Sequence, residues 1–339
     1  MDYINYVKQY PMSMGGLGGP VGALNFHHTA SGGGNTGFYG ARGIFATGYG
    51  AYVEQDVIDY VSIDTTGNFT DFGNLQVARR AGGCVTGDSA SRMCIGGGYD
   101  GQTQHEGSTM QDIIGYIATA STGNASDFGD LTVKRYAVSA CGSSDRGVWC
   151  FGQQQASPSY TDIMDYITIS STGNATDFGD TQYPARSVFA MSNGVRGICG
   201  GGTPNTDGIN YFTIDTTGNA SDFGNLTSTM GGYQAAASGD TDNSRGIIAG
   251  GQSMTNEIQY ITITSTGNAQ DFGDMVNARQ GGGACSNGTR FITGGGGVPS
   301  SPATDEVEYV TVANTGNGTD FGDLTVGRWY TAASSGNAS

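Results

Sequence analysis

Six copies of an acidic loop contain side chains that could bind a metal ion. Each copy reads Thr-Gly-Asn-x-x-Asp-Phe-Gly followed by Asp or Asn, so two oxygen-bearing side chains lie three residues apart. Calcium accepts such ligands, but the alternating Asp-x-Asp-x-Asp order of a calcium loop is missing. The favoured interpretation is therefore that the aspartates bond backbone amides in turns, with calcium the one ion left open and no other cofactor expected. The aspartates are Asp71, Asp127, Asp177, Asp222, Asp271 and Asp320.

Residue types that catalyse reactions are otherwise scarce. The chain has two lysines, Lys8 and Lys134, no Gly-Lys-Ser/Thr phosphate loop and no Gly-x-Ser-x-Gly elbow. His27, His28 and His105 have no matching set of metal ligands. We therefore predict that the protein is not an enzyme and has no catalytic or metal-binding residue.

The six cysteines form no Cys-x-x-Cys pair, which argues against a zinc knuckle. Cys84 with Cys94, and Cys141 with Cys150, could face each other across hairpins. Buried free thiols in strands are the favoured alternative, since cysteine packs as a small apolar residue.

Arginine and tyrosine recur at fixed positions. An arginine precedes each apolar, glycine-ended stretch, at Arg42, Arg92, Arg146, Arg196, Arg245 and Arg290. A tyrosine stands eight residues before each repeated asparagine, at Tyr60, Tyr116, Tyr166, Tyr211, Tyr260 and Tyr309. A second arginine position follows the last strand of a unit, and we assign to it Arg79, Arg135, Arg186, Arg279 and Arg328, with Met230 in the remaining unit. These arginines are expected to pair with aspartates or carbonyls between units.

The spacing of the repeat predicts the fold. The repeated asparagines are Asn68, Asn124, Asn174, Asn219, Asn268 and Asn317, at intervals of roughly 50 residues, typical of propeller blades. Each unit contains four short stretches of strand type, separated by glycine and polar turns, and no sustained helical period. The sequence therefore predicts an all-β, six-bladed β-propeller with four strands per blade.

The ring is expected to close through its C-terminal strand. The stretch after Arg328 has the small residues of an inner strand but no partner after it, whereas the strand at Arg42 lacks an inner strand before it. An alternative gives residues 26–31 to the first blade and leaves the C-terminal strand free to pair with another chain. Small inner strands would line a central channel, and the phenylalanines of the Asp-Phe-Gly triplets would pack between blades.

Two segments are predicted, a glycine-rich arm at 1–38, which is either flexible or docks on a partner, and the propeller at 39–339.

The formal net charge of −16 disfavours nucleic acid as a partner. No run of 18 apolar residues is present, so insertion into a membrane is not expected. The first thirty residues show no standard secretory leader.

The order of arginine, small inner strand, apolar strand ending in Gly-Gly and tyrosine strand resembles that of kelch-type propellers, with phenylalanine where kelch units carry tryptophan. The repeat Thr-Gly-Asn-x-x-Asp-Phe-Gly-Asp also resembles glycine-rich repeat proteins of marine tailed phages, including cyanophages. This resemblance covers residues from about 40 to 339. It implies a virion or tail-fibre component, extracellular or on the particle.

Such a protein would be a structural or host-attachment protein. It would contact other subunits through the arm, and host glycan or a neighbour through loops at 99–112, 153–162 and 297–306. A carbohydrate-binding lectin is the alternative, and a glycan-active enzyme is the least favoured hypothesis, because no residue cluster breaks the repeat symmetry.

Overall fold

The computed structural model describes residues 40–87, 90–101, 110–204, 207–228, 245–251, 254–301 and 303–337, and the backbone alone at 235–238. All of these residues belong to one compact unit. The arm predicted at 1–38 lies outside the described residues. Within the described part, no helix is long and apolar enough to cross a membrane.

Short β-branched and small-residue stretches form the strands, as their composition predicts. In blade 1, β1 (Arg42–Ala46) is followed by the short strands β2 (Tyr49–Gly50) and β3 (Val53–Glu54), which form a separate two-stranded sheet, and then by β4 (Val57–Ser62) and β5 (Thr70–Asn74). Blade 2 contains β6 (Gly83–Gly87), β7 (Arg92–Gly96), β8 (Ile113–Ala118) and β9 (Ser126–Asp130). Blade 3 contains β10 (Ser139–Gly142), β11 (Arg146–Cys150), β12 (Thr161–Thr168) and β13 (Thr176–Ala185).

The second half of the ring repeats this order. Blade 4 contains β14 (Phe189–Ser192), β15 (Arg196–Gly200), β16 (Gly208–Thr213) and β17 (Ser221–Asn225). Blade 5 contains β18 (Ala235–Ser238), β19 (Arg245–Ala249), β20 (Thr255–Thr262) and β21 (Gln270–Arg279). Blade 6 contains β22 (Gly283–Ser286), β23 (Arg290–Gly294), β24 (Glu306–Thr311) and β25 (Thr319–Asp323), and β26 (Ala332–Gly336) follows.

The prediction of a six-bladed propeller is confirmed. Each blade is an antiparallel four-stranded sheet, and the six sheets form a ring. Blade 1 has the order β26-β1-β4-β5, with Arg42 opposite Gly336 and Ala46 opposite Ala332. The C-terminal strand therefore closes the ring. The alternative with a free C-terminal strand is wrong, because β26 occupies the inner edge of β1 and removes two open sheet edges.

The core lies between blades rather than inside any one of them. Phe72 of blade 1, for example, packs in one buried cluster with Cys84, Met93 and Ile117 of blade 2. The same phenylalanine is almost fully buried in every blade, at Phe72, Phe128, Phe178, Phe223, Phe272 and Phe321. A four-stranded sheet cannot cover both of its faces alone, so each blade depends on its neighbours for burial.

The repeated turn fastens each blade to the preceding one; we call this contact the asparagine clasp. In blade 2, the Gly123 and Ala125 amides donate to the carbonyls of Phe72 and Asn74, both at 2.8 Å. The Asn124 side-chain oxygen accepts from the Asn74 amide at 3.0 Å. The equivalent three bonds occur at all six junctions. The turn thereby covers the outer edge of the neighbouring sheet.

The glycine of each Asp-Phe-Gly triplet is required by this clasp. Gly129 has a φ of +147°, and a Cβ on it would lie 2.4 Å from the Gly173 carbonyl oxygen of the next blade. Side chains rarely adopt that backbone conformation, and the backbones approach too closely for one. Gly123 of the turn, in contrast, has no atom within 4 Å of an added Cβ.

Replacing Gly129 with alanine should therefore lower the free energy of unfolding by at least about 2 kcal/mol, through backbone strain and the clash with Gly173. Urea unfolding followed by circular dichroism measures the change. Gly123→Ala is the matched control and should stay within about 0.5 kcal/mol of the wild type. Equal effects of the two substitutions would contradict the clasp.

Candidate functional site

The inner strands surround a central channel, as their small residues predict. Consecutive inner strands contact each other around the ring, from β26 through β6, β10, β14, β18 and β22. The cavity has a volume of about 160 Å³. Its described lining consists of small and apolar residues with several hydroxyl groups, and none of these lining residues is charged. The described part of the lining thus offers a neutral environment without an acid–base pair.

Residues in the left-handed conformation surround one mouth of this channel. Ala81, Ala137, Ser187 and Tyr330 have φ between 55° and 59°. Their backbones connect successive blades: the Ala81 amide donates to the Tyr330 carbonyl at 3.0 Å, and the Ala137 amide to the Ala81 carbonyl at 2.7 Å. The Ser187 amide continues the series to Ala137 at 2.8 Å. Each non-glycine residue in this conformation costs about 1–2 kcal/mol, which the neighbouring contacts must offset.

Aromatic and arginine side chains gather beside this mouth, in a group that we call the aromatic arc. The arc consists of Tyr49, Arg80, Tyr99, Tyr136, Tyr160, Arg186, Trp329 and Tyr330. The Arg80 guanidinium lies 4.7 Å from the Tyr49 ring centre and 4.8 Å from that of Tyr99. The Trp329 and Tyr330 rings stack with their centres 4.1 Å apart. These contacts join blade 1 to blade 2 around one cation.

The arc continues onto blade 3. The Tyr99 and Tyr136 ring centres are 5.4 Å apart, and Arg186 Nη1 donates to the Tyr136 hydroxyl at 2.8 Å. The Arg186 guanidinium also lies 5.3 Å from the Tyr160 ring centre. All members of the arc are partly exposed. Rigid ring faces beside fixed hydrogen-bonding groups form a surface that suits a ligand with both apolar and hydroxyl faces.

This arrangement breaks the sixfold symmetry of the repeat. Isolated bridges pair Tyr49 with Trp329 and Arg80 with Tyr99. The equivalent bridge farther round the ring pairs Gln280 with Gly297, neither of which is aromatic. This aromatic cluster was not identified from the sequence, where a symmetry-breaking cluster of catalytic residues was sought. The signal was visible in the sequence as aromatic residues that follow the glycine-ended strands of only some units.

The three loops predicted to bind partners contribute unequally to the aromatic arc. Tyr99 belongs to the loop at 99–112, and Tyr160 to the loop at 153–162, so both loops supply rings to the arc. Residues 102–109 and 302 lie outside the described residues. The described part of the loop at 297–306 supplies no ring to it.

A second set of arginines lies inside the junctions between blades. Arg79, Arg135, Arg279 and Arg328 are almost fully buried, and each donates to a carbonyl of the next blade. We call these positions arginine slots. Burial lowers the pKa of Arg135 and Arg328, and the nearby carboxylates of Asp165 and Asp59 oppose this shift.

The assignment of Arg186 to this set is wrong. The Gly98 amide donates to the Arg135 carbonyl, and the equivalent Gly152 amide donates to the carbonyl of Ala185, which therefore holds the slot position. Ala185 is buried, whereas Arg186, one residue later, is partly exposed in the aromatic arc. Met230, predicted for the slot of blade 4, lies outside the described residues.

The expectation that the slot arginines pair with aspartates or carbonyls between units is confirmed, and three slots contain a carboxylate that the sequence analysis did not identify. Arg135 Nη2 lies 3.0 Å from Asp165, and Arg328 Nη2 lies 3.0 Å from Asp59. Arg279 pairs with Glu308 in the same way. These acids stand directly before the repeat tyrosine, in a column that reads Asp59, Gly115, Asp165, Asn210, Gln259 and Glu308. The column could have been found from the sequence, because amides replace the acids where the slot arginine is absent.

The predicted repeat residues lie at the blade junctions. Each hairpin arginine places its guanidinium 4.3–4.8 Å from the centre of its own blade's tyrosine ring, as Arg42 does over Tyr60. Its Nη1 donates to a carbonyl of the next blade, as Arg42 does to Thr119 at 2.7 Å. The tyrosine ring meets the triplet phenylalanine edge-on, with centres 5.8–6.2 Å apart.

The six triplet aspartates are exposed on the outer strands. They were expected to accept hydrogen bonds from backbone amides in turns, but the asparagine of the clasp does this instead. Asp130 has its pKa raised by partial burial and by the neighbouring Asp112 and Asp127. In the described part of the chain, no three acidic, histidine or cysteine side chains converge as metal ligands would.

All six cysteines are buried and free. Cys84 is opposite Ile95 and Cys94 is opposite Val85, so these two thiols point to different faces of the sheet. The pairing of Cys84 with Cys94 is therefore wrong. Cys141 and Cys150 are free as well, and the interpretation as buried free thiols is confirmed. Burial raises the pKa of Cys84, Cys141, Cys150 and Cys285, and that of Cys94 to about 12.

Comparison with protein-family models and with curated proteins found no match to this chain.

Asp165→Asn should destabilise the protein strongly, because it leaves the Arg135 cation buried without a counter-charge. We expect a loss of about 3–5 kcal/mol in the free energy of unfolding, measured by urea titration. The control Asp71→Asn makes the same change at an exposed position and should have an effect below about 0.5 kcal/mol. A loss below about 1 kcal/mol for Asp165→Asn would show that the pair does not hold the junction.

The thiols should resist modification in the folded protein. At pH 8 a thiol-specific chromogenic reagent should label essentially none of them, since they are buried and protonated, and should label all of them in guanidinium. Rapid stoichiometric labelling of the native protein would contradict the buried arrangement.

Proposed function

We propose that this chain is a non-enzymatic structural and attachment protein of a phage particle or a similar extracellular assembly. The propeller serves as a rigid platform, and one face of it contacts a neighbouring subunit or a surface glycan. The observation that carries this proposal is the aromatic arc, a symmetry-breaking contact surface on a ring whose other repeat positions are used for holding blades together.

The blade junctions support the role of the ring as a platform. Each of the six junctions has an asparagine clasp, and each has an arginine that stacks on tyrosine and bonds the next blade. A closed ring with covered sheet edges resists local opening, because every blade has two neighbours. Such a scaffold can hold loops in fixed positions outside a cell.

The proposed place of the protein in an assembly rests on the resemblance of its repeat to those of phage proteins. In this proposal residues 1–38 dock on a neighbouring subunit. Electron microscopy of the native assembly tests it: density for the propeller should lie at the surface, with the arm reaching an adjacent subunit. A purified chain that stays monomeric and binds no cell surface would contradict the proposal.

Carbohydrate binding is the second candidate, and the composition of the aromatic arc favours it. Tyrosine and tryptophan rings can cover the apolar face of a sugar, while the Tyr136 hydroxyl and the two arginines can bond its hydroxyl groups. Glu54 lies 3.1 Å from Arg80 and reduces the positive charge there, so a neutral sugar fits better than an acidic one.

Trp329→Ala should reduce binding to a glycan array by roughly tenfold or more, the loss expected for a central aromatic contact. Tyr52→Ala is the matched control, because Tyr52 is a highly exposed aromatic residue of blade 1 outside the arc, with 87% of its surface accessible. The melting temperature of both variants verifies that they are folded.

The glycan array distinguishes two possible negative results. If the wild type binds no glycan, the lectin hypothesis is rejected, and the attachment role must depend on protein contacts. If the wild type binds and Trp329→Ala binds equally well, the glycan site lies elsewhere than on the arc.

A further inference from the structure

One of the described arginine slots contains an arginine whose positive charge no carboxylate balances. Arg79 is buried at the junction of blades 1 and 2, and its Nη2 donates to the Ile95 carbonyl at 2.9 Å. The acid that would face it is replaced by Gly115, which occupies the position that Asp165 has opposite Arg135. Among the described residues, no carboxylate approaches the Arg79 guanidinium.

The remaining donors of this guanidinium are also unused. Arg79 Nε and Nη1 are buried and have no hydrogen-bond partner among the described residues. The same two atoms are unpartnered in Arg135 and Arg328, but there a carboxylate on Nη2 supplies the negative charge. Arg79 therefore combines open donors with an uncompensated charge.

The electrostatic environment agrees with this description. Burial lowers the pKa of Arg79 to about 10, and the one electrostatic contribution that raises it comes from the Cys84 thiol. Burying a lone charge costs several kcal/mol, so the other slots avoid it with a carboxylate or with neutral amides.

Gly115 has no side chain that could enter the slot as the acids do in the other slots. An added Cβ on Gly115 would lie 2.3 Å from Gln76 Oε1, so the end of that side chain covers the place. Gln76 is exposed, and its flexible side chain can move aside to admit a small ion from solvent. The carboxylate position is therefore open to an ion once the Gln76 side chain turns outward.

We propose that the Arg79 slot binds one small monovalent anion, with chloride as the probe, in the position that the carboxylates of Asp59, Asp165 and Glu308 occupy in their own slots. The anion accepts hydrogen bonds from the guanidinium and neutralises it at the blade 1–blade 2 junction. This site is separate from the aromatic arc and does not depend on the proposed function.

The test compares thermal unfolding in sodium chloride and in sodium gluconate at equal ionic strength. Gluconate is too large for the slot, so chloride should raise the melting temperature of the wild type by about 1–3 °C relative to gluconate, as expected for a ligand that binds only the folded state. A crystal grown with bromide should show its anomalous signal beside Arg79.

Gly115→Asp supplies the missing carboxylate and should abolish the difference between the two salts. Gly123→Asp adds the same charge to the same blade, where an added Cβ meets no atom within 4 Å, and should keep the difference. Should Gly115→Asp fail to fold, Arg79→Gln removes the cation and should also abolish the chloride effect.

Equal melting temperatures of the wild type in chloride and gluconate would overturn the proposal and indicate that water alone solvates Arg79. A chloride effect that persists undiminished in Gly115→Asp or Arg79→Gln would also overturn it, because the anion would then bind elsewhere.

Discussion

The close approach of two backbones at each blade junction is the constraint on which the ring depends. The triplet glycine of one blade lies against the turn glycine of the next, and the turn adds three hydrogen bonds to the neighbouring outer strand. This contact explains why the sequence repeats Thr-Gly-Asn-x-x-Asp-Phe-Gly as one unit. Within one copy, the asparagine contacts the preceding blade and the triplet glycine contacts the following one, so each is the counterpart of the other across a junction.

Inside the same junctions, the charged side-chain pairs differ more from one junction to the next than the backbone contacts do. The slot arginine and the residue before the repeat tyrosine vary together: an acid accompanies Arg135, Arg279 and Arg328, whereas Asn210 faces the junction that has Ala185. Burial makes the charge of one side chain dependent on the other, because water cannot screen either. Arg79 with Gly115 departs from this rule.

Much of the architecture could be predicted from the sequence, because a period of roughly 50 residues and strand-type composition constrain topology strongly. Ring closure could also be predicted, since a lone inner strand at one end complements a missing one at the other. The alignment of single residues between repeats was harder to predict. Arg186 was assigned to the slot because an arginine at about the right spacing looks equivalent in sequence. The slot position lies eight residues after the triplet aspartate in every unit, which gives Ala185 here, and the backbone bond of Ala185 agrees with that count. The aromatic arc was missed because its residues come from three blades and from loops outside the repeated motif.

Closure by the last strand also affects how the protein is made. As the chain leaves the ribosome, β1 is synthesised first among the described strands, but its inner partner β26 is synthesised last. Until then the first blade has three strands and an open edge, while later blades can already pair internally. Completion of the circle is therefore a late event in biosynthesis, and a prematurely terminated chain would expose that edge to pairing with other molecules.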